Sequence, residues 1–373
     1  MRLATSESPK GFKGLKLVAY TGMVLSIAAL VIVAALSVEL TRDLAGAHTS
    51  TTLGPISVTG PLITPALSLP GAPPILTEQP FGQRLTDINV PMNSSQLAVI
   101  NSEPDSYFDT AARMYLNGSL TALVGQDVVN EPLFTVNGKP AVIYLGAISC
   151  VYCGENRWAM ALALSRFGIF QNLFLGYSSW GDQDVPTIYW APAPYNSTSA
   201  ADFGNFYDGT YVNFLSIDYA SPITSGFEMQ TLPYFQQQAE ATNNTVYEKA
   251  TGFLVDLNNF AGTPYTIWGR YVVPGADATD FGVATSTSST SSTSSTSSTT
   301  ALLPLATMTH EQVLASLAHP DGQFAWTEYA AADYYVSLIC ATLGAGSTSS
   351  TTAPPVCSEP NISEMTTTFL LSS

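Results

Sequence analysis

Cys150-Val151-Tyr152-Cys153 lies where a stretch that reads as a buried strand gives way to one that reads as a helix. That placement constrains the fold more than any other feature of the chain. Ala141 to Gly146 (AVIYLG) is a short apolar run with β-branched content, opened by the turn signal Gly138-Lys139-Pro140. After Ala147-Ile148-Ser149 and the cysteine pair, Gly154 to Leu164 (GENRWAMALAL) has the Ala, Leu and Met content of a helix. The helix should end near Arg166-Phe167-Gly168. Strand, short loop, C-x-x-C and helix is the arrangement that thiol–disulfide exchange requires. Cys150 falls at the helix N-terminus, where unpaired N–H groups and the macrodipole stabilise a thiolate. Cys153, three residues on, is close enough to resolve a mixed disulfide. Arg157 and Trp158 read as residues that pack and orient this helix.

A lone C-x-x-C also admits a zinc site or a purely structural bridge. Zinc needs two more ligands at compact spacing, and neither Cys340 and Cys357 nor His48, His310 and His319 supply it. A structural disulfide at a helix start is strained and reducible. Downstream, Thr263-Pro264 directly precedes the β-like run Tyr265 to Val273, which is followed by Pro274-Gly275. Proline is tolerated at a strand's first residue because its missing N–H need not join the ladder. Thr-Pro at that position is also where thioredoxin-like folds place a cis proline beside the cysteine pair; an ordinary trans proline is the alternative.

With these residues in place, the chain resembles the thioredoxin-like domain-of-unknown-function family 929, found in archaea. The resemblance runs from about Phe134 to Cys357. It is strongest from Asn137 through Cys150-Val151-Tyr152-Cys153-Gly154-Glu155-Asn156-Arg157-Trp158 to Gly168, and it includes Pro264 to Val273 and the segments ending at Cys340 and Cys357. Family members commonly have Pro after the first cysteine, where this chain has Val151. The resemblance implies an α/β (α+β) thioredoxin-like fold with a large insertion, and leaves activity and substrate open.

The remaining organisation follows from composition and charge. Residues 1–16 carry Arg2, Lys10, Lys13 and Lys16 against Glu7. The rest of the chain holds 27 acids and 8 bases, a net of −19 within an overall −16. Residues 17–38 (LVAYTGMVLSIAALVIVAALSV) lack any charge and match a span of about 30 Å at 1.5 Å per residue. Basic residues before that span and Glu39 and Asp43 after it predict a cytoplasmic tip, a single-pass transmembrane helix and an extracytoplasmic domain. A cleavable signal peptide is the competing reading, although its apolar region would be shorter, roughly 7–15 residues; both export the remainder.

Residues 39–104 read as a Pro/Ser/Thr-rich stalk, 105–360 as the globular domain and 361–373 as a tail. Within the domain, 180–250 is expected as an insertion, with aromatics (Tyr189, Trp190, Phe206, Tyr207, Tyr211, Phe214) and a helical stretch near Leu232–Lys249. That insertion reads either as a cap beside the cysteines or as added scaffold. Residues 284–300 form a Ser/Thr insert that cannot bury a core. Thr309 with Gln312 predicts a capped helix, and Phe324 to Leu343 an amphipathic final one. Cys340 and Cys357 would close a loop as a structural disulfide worth roughly 3 kcal/mol, with an electron-relay role as the alternative. Five Asn-x-Ser/Thr sequons start at Asn93, Asn117, Asn196, Asn243 and Asn361 and fit a glycosylated surface protein.

The expectation is a membrane-anchored extracytoplasmic thiol–disulfide oxidoreductase with Cys150 as nucleophile, Cys153 as resolving thiol and Pro264 shaping the substrate site. Its partners would be protein thiols and disulfides, with a membrane redox partner by analogy. No cofactor and no metal is expected. The rival reading is an exported thioredoxin-like binding or scaffold glycoprotein with inert disulfides. A chain so poor in Lys and Arg lacks the positive footprint of a nucleic-acid binder. Its low charge density, 11% of residues, suits an acidic exterior, since little is lost when acids protonate.

Overall fold

The computed structural model describes residues 55–60, 62, 90–122, 129–130, 132–146, 150–178, 184–190, 206–218, 244–256, 264–274, 281–283, 304–346 and 353–372. In chain order the elements are β1 (Ile56–Val58), β2 (Val90–Pro91), α1 (Ser94–Asn101), α2 (Asp105–Leu116), β3 (Leu120–Ala122) and β4 (Val129–Asn130). Next come β5 (Phe134–Val136), β6 (Lys139–Gly146), α3 (Val151–Ser165), β7 (Gly168–Phe170), β8 (Phe174–Tyr177), β9 (Pro186–Tyr189), β10 (Tyr207–Gly209) and β11 (Asn213–Asp218). The chain closes with α4 (Thr245–Asp256), β12 (Tyr265–Trp268), β13 (Tyr271–Pro274), β14 (Phe281–Val283), α5 (His310–Ala318), α6 (Gln323–Gly346) and α7 (Pro360–Ser372).

This is a mixed α/β unit built on β6. Asn137 and Gly138 both have positive φ (49° and 79°), the two-residue turn that suits an Asn-Gly hairpin and turns β5 back into β6. β6 then pairs with β11 in parallel on Ala141 to Gly146 and with β12 antiparallel on Val142 to Leu145. β12 and β13 form a hairpin through Gly269, whose φ is +69° and whose Cβ would meet Thr342 at 2.4 Å. The full sheet has the order β1-β5-β6-β12-β13-β4, with β11 on β6.

The strict alternation of a strand decides what each face of β6 meets. Val142 and Tyr144 join one core with α3 and α6, while Ala141, Ile143 and Leu145 join a second with α4 residues Val246, Tyr247, Ala250, Phe253 and Leu254. Helices therefore cover both faces, which explains why this strand reads as an unbroken apolar run.

Several expectations change. The segment 39–104 is not all stalk: Ile56–Val58 pairs in parallel with β5, and Asn137 clasps Gly60 through Oδ1 (3.0 Å) and Nδ2 (2.9 Å). Ser94–Asn101 is a helix with Asn93 and Gln96 as a capping box, and Ile100 is in the core. The segment 180–250 is not all insertion, because Asn213–Asp218 is a central strand whose parallel pairing depends on residues about 70 positions away. The helix there is Thr245–Asp256. α6 is buried around nearly its whole circumference instead of amphipathic. It is also not the final helix, since residues 361–373, expected as a tail, lie almost entirely in α7, whose Ile362 and Met365 are buried against the main core. The Thr309–Gln312 capping box is present. Residues 1–38 and 284–300 lie outside the described residues, among which no helix is long and apolar enough to cross a membrane.

Charges are few but concentrated between helices. Arg166, capping α3, reaches Asp105 of α2 and Glu359 before α7, and lies over the Phe108 ring at 4.5 Å. Burial pushes Asp333 of α6 well above the usual carboxylate range, opposed in part by Arg166. Burial also raises Glu359, and raises Glu103, beside Tyr329, to about 7. A carboxyl with a raised folded-state pKa binds its proton more tightly folded than unfolded. For Glu103 that stabilisation is complete below 4.5 and is lost as pH rises through about 7. Thermal unfolding should therefore give a higher Tm at pH 5 than at pH 8. Glu103→Gln should shrink the corresponding difference in unfolding free energy by about 1 kcal/mol, a figure discounted for partial exposure.

Candidate functional site

β6 ends at Gly146, where a Cβ would fall 2.0 Å from the Tyr144 hydroxyl, so a larger residue would require the buried Tyr144 ring to move. The chain next enters α3 with Cys150 as the N-cap, in extended conformation (φ −72°, ψ 129°). Its sulfur stands where a capping oxygen would: the Cys153 N–H donates to Cys150 Sγ at 3.2 Å. The Gly154 N–H donates to the Cys150 carbonyl at 2.9 Å, closing the first turn. Both residues are thiols in the structure; Cys150 is partly exposed and Cys153 buried.

The helix behind the cysteines is anchored from several sides. Trp158 Nε1 donates to the Pro186 carbonyl at 3.1 Å, and Thr187 Oγ1 donates to the Gly154 carbonyl at 2.6 Å, both from β9. Tyr207 of β10 donates to the Leu164 carbonyl at 2.8 Å. Tyr335 of α6 donates to Asn156 Oδ1 at 2.8 Å and stacks on Trp268 at 4.3 Å. Arg157 is fully buried, its guanidinium 5.4 Å from the Tyr144 ring centroid and 5.8 Å from that of Tyr189. Arg157 and Trp158 thus pack in the core.

Pro264 is buried and immediately precedes β12. Since Tyr265 pairs with Leu145, the antiparallel register puts Pro264 level with Gly146, at the end of β6 from which the chain leaves for Cys150. Cys340 and Cys357 form a disulfide with Cα atoms 5.3 Å apart, joining α6 to the turn before α7. Of the aromatics singled out in 180–250, Tyr189, Trp190, Phe206, Tyr207 and Phe214 are buried, with Trp190 and Phe214 in edge contact at 4.8 Å, and Tyr211 is half-buried against the same core. They are scaffold. His310 lies with Nε2 2.7 Å from the Gly176 carbonyl and 3.1 Å from that of Thr187, so Nε2 carries the proton and links β8 to β9. Among the described residues no three His, Cys, Asp or Glu side chains gather in a way that could hold a metal.

Sequence reasoning missed Tyr152. It is 46% exposed between buried Val151 and buried Cys153, the one large apolar side chain of this turn that faces outward. The signal was available: in the first turn of a helix whose flanking residues enter the core, the intervening position must look out.

Tyr335→Phe should destabilise the fold by about 1–3 kcal/mol in urea denaturation, because it strips Asn156 Oδ1 of its donor in a dry interior. The double variant Tyr335→Phe/Asn156→Leu should recover part of that loss.

No curated protein and no solved structure is a significant match to the chain. Residues 127–247, from β4 to the first turn of α4 and including both cysteines of the C-x-x-C, match the family model described as Domain of unknown function (DUF929).

Proposed function

We propose that the chain is a thioredoxin-like thiol–disulfide oxidoreductase, anchored by residues 17–38 and acting outside the cytoplasm. The observation that carries the reading is the cysteine pair itself. Cys150 caps α3 with its sulfur on the Cys153 N–H, and Cys153 is buried behind it. The connectivity supports the fold assignment. The four strands β11-β6-β12-β13, with β11 parallel to β6, a β12–β13 hairpin led in by Pro264, and α3 and α4 on opposite faces, have the order and sense expected of such a core.

In the reducing direction the Cys150 thiolate attacks one sulfur of a substrate disulfide. A Cys150–substrate S–S bond forms, the substrate S–S bond breaks, and the second substrate sulfur leaves as a thiolate. Cys153 then loses its proton and attacks Cys150 Sγ, releasing the first substrate sulfur. The substrate has gained two electrons and the pair has become a disulfide. In the oxidising direction the same steps run in reverse. Pro264, level with Gly146 at the end of β6, would border this exchange, and the Cys340–Cys357 bridge ties α6 to the turn before α7. The basic tip, the uncharged span and the acidic remainder support the exported placement.

Purified protein should reduce insulin with dithiothreitol or reoxidise reduced RNase. Cys150→Ser should abolish both activities, and Cys153→Ser should accumulate mixed disulfides visible on a non-reducing gel. Wild-type protein inactive in both assays, and no trapped species in Cys153→Ser, would leave the scaffold reading in its place.

A further inference from the structure

Asn93, Asn117 and Asn361 head the three sequons that lie among the described residues, and the fold treats them in two ways; Asn196 and Asn243 lie outside. At Asn93 the carboxamide oxygen receives the Ser95 N–H at 3.0 Å, the Gln96 N–H at 3.0 Å and the Ser95 hydroxyl at 2.6 Å. Asn93, Ser94 and Ser95 are all exposed. Asn117 repeats the pattern after α2: the Ser119 N–H donates to Asn117 Oδ1 at 2.9 Å, in an exposed turn where Gly118 has φ +76°. At both positions the oxygen arm of the carboxamide is occupied by donors two residues on, which leaves the Nδ2 arm directed away from them.

Asn361 differs on each point. It is half-buried in the first turn of α7, and its Nδ2 donates to Asp109 Oδ1 at 2.6 Å. The Ser363 N–H donates to the Glu359 carbonyl at 2.8 Å, in the helix ladder, and so does not engage Asn361 Oδ1.

An amide nitrogen is a weak nucleophile because its lone pair is shared with the carbonyl. In N-glycosylation it bonds to C1 of a sugar carried on a lipid phosphate. The N–C1 bond forms, the C1–O bond breaks, the lipid phosphate leaves with that electron pair, and Nδ2 yields one proton to a base of the transferase. No electrons are gained or lost. As the proton departs, charge gathers on Oδ1, and donors already aimed at that oxygen stabilise it. Access to Nδ2 and a hydroxyl two residues on complete the requirement.

We infer that Asn93 and Asn117 are N-glycan acceptors of the folded chain and that Asn361 is not. The inference is independent of the redox chemistry and rests on the exported placement. Capping of α1 by Asn93 is compatible with it, since the cap uses Oδ1 alone.

The test is site-by-site glycopeptide mass spectrometry on full-length protein isolated from the cells that make it. Glycan on Asn93 and Asn117 and an unmodified Asn361 peptide are expected. Ser95→Ala should empty Asn93 while leaving the backbone donors of the cap in place, and Ser95→Thr should keep it occupied. A bare Asn93 or Asn117, a glycan on Asn361, or occupancy of Asn93 that survives Ser95→Ala would overturn the inference.

Discussion

A helix buried around its whole circumference must be covered from every side, and α3 is such a helix. Val151 and every residue from Cys153 to Leu164 are buried. Val142 and Tyr144 of β6 share the core of this helix on one side; α6, β9 and α1 pack on others. This requirement accounts for much of the chain beyond the four central strands. The β8–β9 hairpin holds Trp158 and Gly154 by hydrogen bonds, and α6 is apolar enough to be enclosed itself because it lies between α3, α2 and α7. The disulfide at Cys340 then fixes the last helix over α6.

The same enclosure shapes the site. Among the described residues, Cys150 and Tyr152 are accessible at the first turn of α3 while Val151 and Cys153 are not, and the helix then stays buried until Ser165 at its far end. The helix N-terminus therefore acts on a sulfur whose position is set by packing on the rest of the helix. Enclosure also raises carboxyl pKa values at Glu103, Asp333 and Glu359. A chain with few charges has placed these three carboxyls where burial favours the protonated form.

Local signals were legible in the sequence. The strand into the cysteines, the helix after them and the Thr309 capping box depend on residues close to one another in the chain, and each lies where periodicity and turn chemistry put it, whereas the single β-like run after Pro264 is two strands turned at Gly269. Non-local pairings were not. β1 read as stalk because three residues, Ile56–Val58, carry too little pattern to announce a strand whose partner lies 78 positions on. β11 (NFLSID) has polar Asn213 and Ser216 in the sheet interior, which obscures its period and made it read as insertion. α7 (PNISEMTTTFLLS) is rich in Thr, a poor helix former, and becomes helical against α6. The aromatics of the middle segment left a cap and added scaffold equally open, because ring content alone does not distinguish a surface that binds from one that packs; five of the six are core.

The most direct measurement is the midpoint potential of the Cys150–Cys153 pair in a glutathione redox titration. An exchange-competent pair with a thiolate stabilised at a helix N-terminus should titrate between about −270 and −120 mV. A pair that stays oxidised below about −300 mV, as structural disulfides do, would contradict the redox role.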